Sequence, residues 1–231
     1  MNGSFPRISI VTRTLLRQNR VMIMLLLLWP CVLSGILLAA SHGAPATEDV
    51  ASILEQELFY GLVLVGLGSS VALSTEQRAR RMQGVLGRAV GRSEYLLALG
   101  ASAYLPFAGY VAVWLLNAGA FAGLLRLRTP ALMPAVLAEF SAGLLLCVAG
   151  LLFSVLLSQL LAAVATGVVL AGLLAGGTRG WGGVARLFAA ALGGPTLLDK
   201  LWPGAWQALA ASVVLALLAV LLFERKDLKL T

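Results

Sequence analysis

Residues 74–94 read STEQRARRMQGVLGRAVGRSE, the one long polar interruption in a chain otherwise apolar enough to live in lipid. Five arginines sit in it (Arg78, Arg80, Arg81, Arg88 and Arg92) against two acids, Glu76 and Glu94. A soluble domain is about half apolar and about a quarter charged. This chain of 231 residues is 60% hydrophobic and 12% charged. Apolar runs of ~18 residues or more recur on both sides of the interruption, which is the signature of membrane-spanning helices. No polar stretch is long enough to bury a core of its own. The expected fold class is therefore an all-α integral membrane protein, with residues 1–231 as a single transmembrane domain.

Outward from the interruption, six spans are expected, at 21–40, 58–73, 95–116, 135–157, 160–174 and 208–223. Before the first, Pro6 to Asn19 reads as an amphipathic helix. At ~100° per residue Arg13, Arg17 and Arg20 share one face, with Ile8, Val11 and Leu15 opposite. Such a helix suits the membrane surface, so lipid is an expected partner. The apolar part of span 1 runs to about 20 residues, longer than the usual 7–15 of a signal peptide, so it is expected to be retained as a span. Pro30 should kink it.

Residues 41–56 carry Glu48, Asp49 and Glu55 without Lys or Arg, and read as a non-cytoplasmic loop. Span 2 holds Gly61, Gly66 and Gly68, small residues that let helices approach closely in lipid. The end of span 3 is open, because apolar character continues to Leu125. Ser158 and Gln159 read as a tight inner turn. Residues 175–206 mix glycines, prolines and charges with Trp181, Trp202 and Trp206, and read as an outer re-entrant or interfacial element.

Six spans place both termini on one side. Four Lys or Arg in the N-terminal segment, five in the central one and three in the tail then face the cytoplasm, against five outside. That asymmetry orients the chain in a cell inner or plasma membrane with both termini cytoplasmic. The net charge of +7 is explained by this orientation and by anionic lipid. No basic patch interleaved with aromatics is present, so nucleic acid is not an expected partner.

Catalytic and cofactor signals are missing. There is no G-x-x-x-x-G-K-[ST], so nucleotide hydrolysis by the P-loop route is not expected in this chain. There is no H-E-x-x-H, and the one histidine, His42, has no clustered Cys or His beside it, so no metal site is expected. Cys31 and Cys147 lie inside apolar runs and read as small hydrophobes. No enzymatic activity and no cofactor are expected.

In the central stretch Glu76 and Arg80 are i, i+4 with the acid first, the favourable order on a helix. Ala79, Met82 and Leu86 fall on one face, so Thr75 to Leu86 reads as a short amphipathic helix ended by Gly87. A helix lying across the inner ends of two spans is a surface that a soluble partner could grip. Its plain alternative is a basic loop that only sets topology. Inside the membrane, Glu139 in span 4 is the ionisable residue to weigh as a polar site. Its plain alternative is a carboxylate reaching the outer interface beside Arg126 or Arg128.

Here the chain resembles a family. Glu76, then Arg80 to Leu86 (RRMQGVL), then Gly91 to Leu97 (GRSEYLL) are similar to the E-x-x-x-G-T-L-E, P-x-S-R and E-x-L-L elements of ABC type-2 exporter permeases. Phe223 to Leu228 (FERKDL) resembles that family's F-x-R-x-D-L tail. The departures are Ala89 for the usual proline and Gly87 for the acid after Gly-Thr-Leu. The resemblance implies a permease that pairs with a second copy or a paralogue. It also implies two copies of a separate soluble ABC ATPase, which would bind the ATP. The segment 74–94 would then carry the coupling helix, with Glu76, Arg78, Arg80, Arg81 and Met82 as the ATPase contact. The chain would convert ATP hydrolysis in its partner into export. A haem-exporter B-type subunit is a close alternative, although its D-x-x-D-G loop is absent. A membrane assembly protein that moves nothing, or a secondary transporter, are alternatives of other classes.

Overall fold

A computed structural model describes residues 4–41, 47–78, 90–124, 132–175 and 198–225. They form seven helices: α1 (Ser4–Gln18), α2 (Arg20–Ala40), α3 (Thr47–Arg78), α4 (Arg92–Leu124), α5 (Leu132–Leu156), α6 (Gln159–Ala175) and α7 (Leu198–Arg225). Among the described residues there is no strand. Five of the helices, α2, α3, α4, α5 and α7, are long and apolar enough to cross a membrane. The chain is thus an all-helical, multi-pass type of bundle. α6 stands at the place of the expected fifth span, but its 17 residues fall short of that length.

Several boundaries move outward from the sequence expectation. α3 starts at Thr47, so most of the expected outer loop 41–56 is helical. Asp49 then lies in the first turn, where negative charge meets the positive end of the helix dipole. With 32 residues, α3 extends about 48 Å at ~1.5 Å per residue, well beyond a hydrocarbon core of about 30 Å. α4 continues past Leu116 to Leu124. α7 begins at Leu198 rather than Ala208, so Trp202 and Trp206 belong to its first turns. The remainder of the expected outer element, residues 176–197, lies outside the described residues, as do Arg126 and Arg128.

The local chemistry of the starts and turns is visible. The Gly91 N–H donates to Glu94 Oε2 at 3.0 Å, while the Tyr95 N–H donates to the Gly91 carbonyl at 2.9 Å. An acid three residues after the cap thus reaches back to it, as in a capping box. Between α5 and α6 the chain reverses through Leu157 and Ser158, with Leu157 N–H on the Phe153 carbonyl and Ala162 N–H on that of Ser158, both 2.8 Å. This is the tight turn expected at Ser158.

α5 is the central helix, packed on α3, α4, α6 and α7. Its closest partner is α3, whose Leu54, Leu58, Leu62, Val65, Ser69 and Leu73 are buried at helical spacing. The two backbones meet where side chains are smallest. A methyl group at Gly150 of α5 would collide with Ser69 Oγ and stand 3.0 Å from the Gly66 carbonyl oxygen. The Ser69 hydroxyl donates to that Gly66 carbonyl at 3.0 Å and reaches the Leu146 carbonyl of α5 at 3.5 Å. In lipid, where apolar surface gains little by leaving one apolar medium for another, such close backbone contact is what associates helices. Gly66 lies at this contact and against Thr166 of α6, Gly61 makes room for the Tyr110 and Phe107 rings of α4, and Gly68 faces open space.

α2 and α7 are peripheral. α2 exposes Met22, Met24, Leu28, Val32 and Ile36, and α7 exposes Val213, Val214, Leu217 and Leu221, surfaces suited to lipid. α1 has the expected pattern: Arg13, Arg17 and Arg20 are exposed, while Val11 and Leu15 are buried. Its apolar face, however, lies on protein rather than on lipid alone. α1 packs along α4, and the Thr12 hydroxyl reaches the Ala98 carbonyl at 3.4 Å.

The substitution Gly150→Leu should force α3 and α5 apart and cost about 1–3 kcal/mol, the usual range for overpacking. Gly172→Leu, where nothing lies within 4 Å, should leave stability unchanged. Unfolding by SDS in mixed micelles, followed by circular dichroism, checks both.

Candidate functional site

Two places in the bundle hold polar side chains with no purely structural partner set: the arginine-rich end of α3 and α4, and the interior of their opposite half.

At the arginine-rich end, α3 does not break at Thr75. Thr75 to Arg78 form its last turn, and the expected separate helix is not seen to begin there. Glu76, expected on the partner-facing surface, is buried. It continues the inward stripe of α3 three residues after Leu73, and Tyr95 of α4 donates its hydroxyl to Glu76 Oε2 at 3.4 Å. Arg78 is exposed at the helix end. Arg80, Arg81 and Met82 lie outside the described residues. Arg92 opens α4 and donates from its guanidinium to the Glu224 carbonyl of α7 at 3.1 Å. The base of α4 is therefore tied on one side to α3 and on the other to α7.

In the opposite half, α4 presents Tyr110, Trp114 and Asn117 at i, i+4 and i+7, one face of a helix. The Tyr110 hydroxyl donates to the Glu57 carbonyl at 2.7 Å, and the Trp114 indole N–H donates to the Leu54 carbonyl at 3.0 Å. Both lock α4 onto the backbone of α3. From α2, Ser34 donates its hydroxyl to the Glu57 carboxylate at 3.0 Å and accepts from the Asn117 amide at 3.4 Å. Three helices thus meet at Glu57, whose backbone carbonyl accepts from α4 and whose side chain, 0 % exposed, accepts from α2.

Glu139 is also 0 % exposed. It lies about two turns into α5, which begins at Leu132. Its side chain is enclosed by the bundle, while Arg126 and Arg128 lie outside the described residues. Tyr110 is within electrostatic reach of both Glu57 and Glu139, and Tyr104 is within reach of Glu139. Among the described residues, Glu57 Oε2 and both oxygens of Glu139 have no hydrogen-bond partner. No group of three or more His, Cys, Asp or Glu suited to a metal ion occurs among them.

Sequence reasoning missed Glu57. The run of acids Glu48, Asp49 and Glu55 assigned it to the loop side of a boundary drawn at 58. The signal that finds it is periodicity. Val50, Leu54, Glu57, Leu58, Leu62 and Val65 form one stripe once the helix is started at Thr47. Comparison of the chain with protein-family models, with curated proteins and with solved structures finds no match.

Removing one donor should loosen this half of the bundle without breaking it. Tyr110→Phe deletes the 2.7 Å bond to the Glu57 carbonyl, and should cost about 0.6–1.7 kcal/mol, the span measured for hydrogen bonds between membrane helices. Unfolding in mixed micelles of Tyr110→Phe beside the wild type checks this; an unchanged midpoint would show that the bond contributes nothing.

Proposed function

We propose that this chain is the membrane-spanning permease subunit of an ATP-driven exporter of the ABC type-2 kind, working with a separate soluble ATPase. The observation that carries the reading is the way the basic connection between α3 and α4 is mounted. Its two ends are held together by the Tyr95–Glu76 hydrogen bond. α3 then runs unbroken from Arg78 to the buried carboxylate of Glu57, 21 positions away or about 31 Å along the helix axis. A push on the connection is carried along a stiff rod into the interior polar half. This is what a subunit needs when its energy source is outside the membrane. Orientation with the arginine-rich end toward the cytoplasm follows from the Lys and Arg balance. Arg78, Arg80 and Arg81 supply charge for an acidic groove on the ATPase, and Met82 the apolar contact.

The two buried carboxylates favour a second reading, a secondary transporter driven by an ion gradient, since intramembrane acids mark ion and substrate pathways. The haem-exporter and assembly-protein alternatives gain no support from any described contact.

Affinity purification of the tagged chain from its native cells in mild detergent separates these readings. The permease reading expects a soluble P-loop ATPase to co-purify, and to be lost from the double variant R80E/R81E. Recovery without any ATPase, together with gradient-driven flux by the chain alone in proteoliposomes, would overturn it in favour of the second.

A further inference from the structure

Among the described residues, the ionisable Asp, Glu, Lys and Arg side chains inside the bundle are all acids. Among the described residues, every Arg and Lys lies on α1 or within three residues of a helix end: Arg20, Arg78, Arg92, Lys200 and Arg225. Glu57 and Glu139 alone among the acids are both fully enclosed and well inside their helices. Three of their four carboxylate oxygens have no hydrogen-bond partner among the described residues. A carboxylate that has left water without a partner is costly. Acids placed inside a membrane bundle therefore mark the place of a counterpart.

What surrounds Glu139 indicates the chemistry of that counterpart. Tyr104, Phe107 and Phe140 form an aromatic cluster, with ring centroids 5.7 Å apart for Tyr104–Phe107, 6.4 Å for Phe107–Phe140 and 6.5 Å for Tyr104–Phe140. The Phe107 ring lies against Gly143, one turn after Glu139 on the same face of α5, and against Gly61, one turn after Glu57 on α3, while the Tyr104 hydroxyl donates to the Phe140 carbonyl at 3.0 Å. The rings' negative faces attract a poorly hydrated cation and pack well on an apolar body. A hard metal ion is disfavoured, because the described residues offer no cluster of three or more acidic, histidine or cysteine ligands.

We propose that this half of the bundle is a binding site for an organic cation with an apolar body, with Glu57 and Glu139 supplying charge and Tyr104, Phe107 and Phe140 the aromatic surface. The proposal rests on the reading of the chain as a translocation pathway, and it names the class of cargo. In the described arrangement the site is closed, with Ser34 of α2 lying over Glu57. α2 is also the least enclosed of the helices long enough to cross a membrane. Outward movement of α2 would need only the Ser34 bonds to Glu57 and Asn117 to part at this level.

The test uses the purified full chain in phosphatidylcholine nanodiscs, without any ATPase. The probes are tetraphenylphosphonium and tetraphenylborate, ions of nearly equal shape and opposite charge. Equilibrium dialysis measures the saturable, competitor-displaceable component of binding. The site should bind the cation saturably and the anion not at all. Glu57→Gln and Glu139→Gln should each weaken cation binding by at least about tenfold, and the double variant should abolish it. Glu139→Asp, which keeps the charge, should retain part of it. Equal saturable binding of both ions, or full cation binding by a correctly folded double variant, would overturn the proposal. So would the absence of any saturable tetraphenylphosphonium binding by the folded wild type. If a variant fails to fold, the comparison of cation with anion on the wild type still decides. An ATPase that co-purifies with a chain indifferent to the cation would sink this inference and leave the permease reading standing. Cation binding without an ATPase would do the reverse.

Discussion

Lipid supplies no hydrogen bonds, so every polar group carried into the bundle must find its partner within it. The described residues obey this constraint nearly throughout. Ser70, Ser74, Ser102, Ser154, Thr166 and Ser212 turn their hydroxyls back onto carbonyls three or four residues earlier in their own helices. The larger polar side chains cross between helices: Tyr104 to α5, and Tyr110 and Trp114 to α3. Against that background the three unpartnered carboxylate oxygens of Glu57 and Glu139 stand out. Burial without a partner is costly enough that it calls for a use, and the proposed cargo site is such a use.

The two ends of the bundle are built on different chemistry but share the same two helices. At one end a tyrosine and a glutamate join α3 to α4 beneath a run of arginines. At the other, tyrosine and tryptophan join them beside the buried Glu57, and asparagine joins α4 to α2. Between the ends, α3 is held against α5 by glycine and serine contacts that leave no room for a methyl group. Close backbone packing holds the α3–α5 pair together, whereas α2 packs at the edge, on α4 and α3, and meets this interior through the Ser34 contacts.

Much of this was legible from residue types. Apolar run length located six helices, and the alternation of Arg13, Arg17 and Arg20 with Val11 and Leu15 located α1. What composition could not locate were the ends of helices rich in polar residues. Glu48, Asp49 and Glu55 look like loop, yet acids are favoured in a first turn, so α3 continues through them and brings Glu57 inside. Glu76 was read beside Arg80 as one exposed i, i+4 pair. The apolar stripe of α3, traced through Leu73, turns it inward instead. Glu139 is an ionisable residue within an apolar run and so stands out in the sequence, but its enclosure depends on where α5 begins and what packs on it. The expectation and the structure part at helix ends: Thr47, Arg78, Leu124, Leu132 and Leu198.

The central claim is that a basic connection and a buried acidic interior lie toward opposite faces of one membrane. Site-directed thiol labelling tests it most directly. The background carries Cys31→Ala and Cys147→Ala, and single cysteines are placed by Ser41→Cys and Arg88→Cys. With a membrane-impermeant maleimide on intact cells, the cysteine at 41 should react at once. The one at 88 should react only after permeabilisation. Labelling of both in intact cells, or the reverse order, would contradict the orientation on which the coupling of the two ends depends.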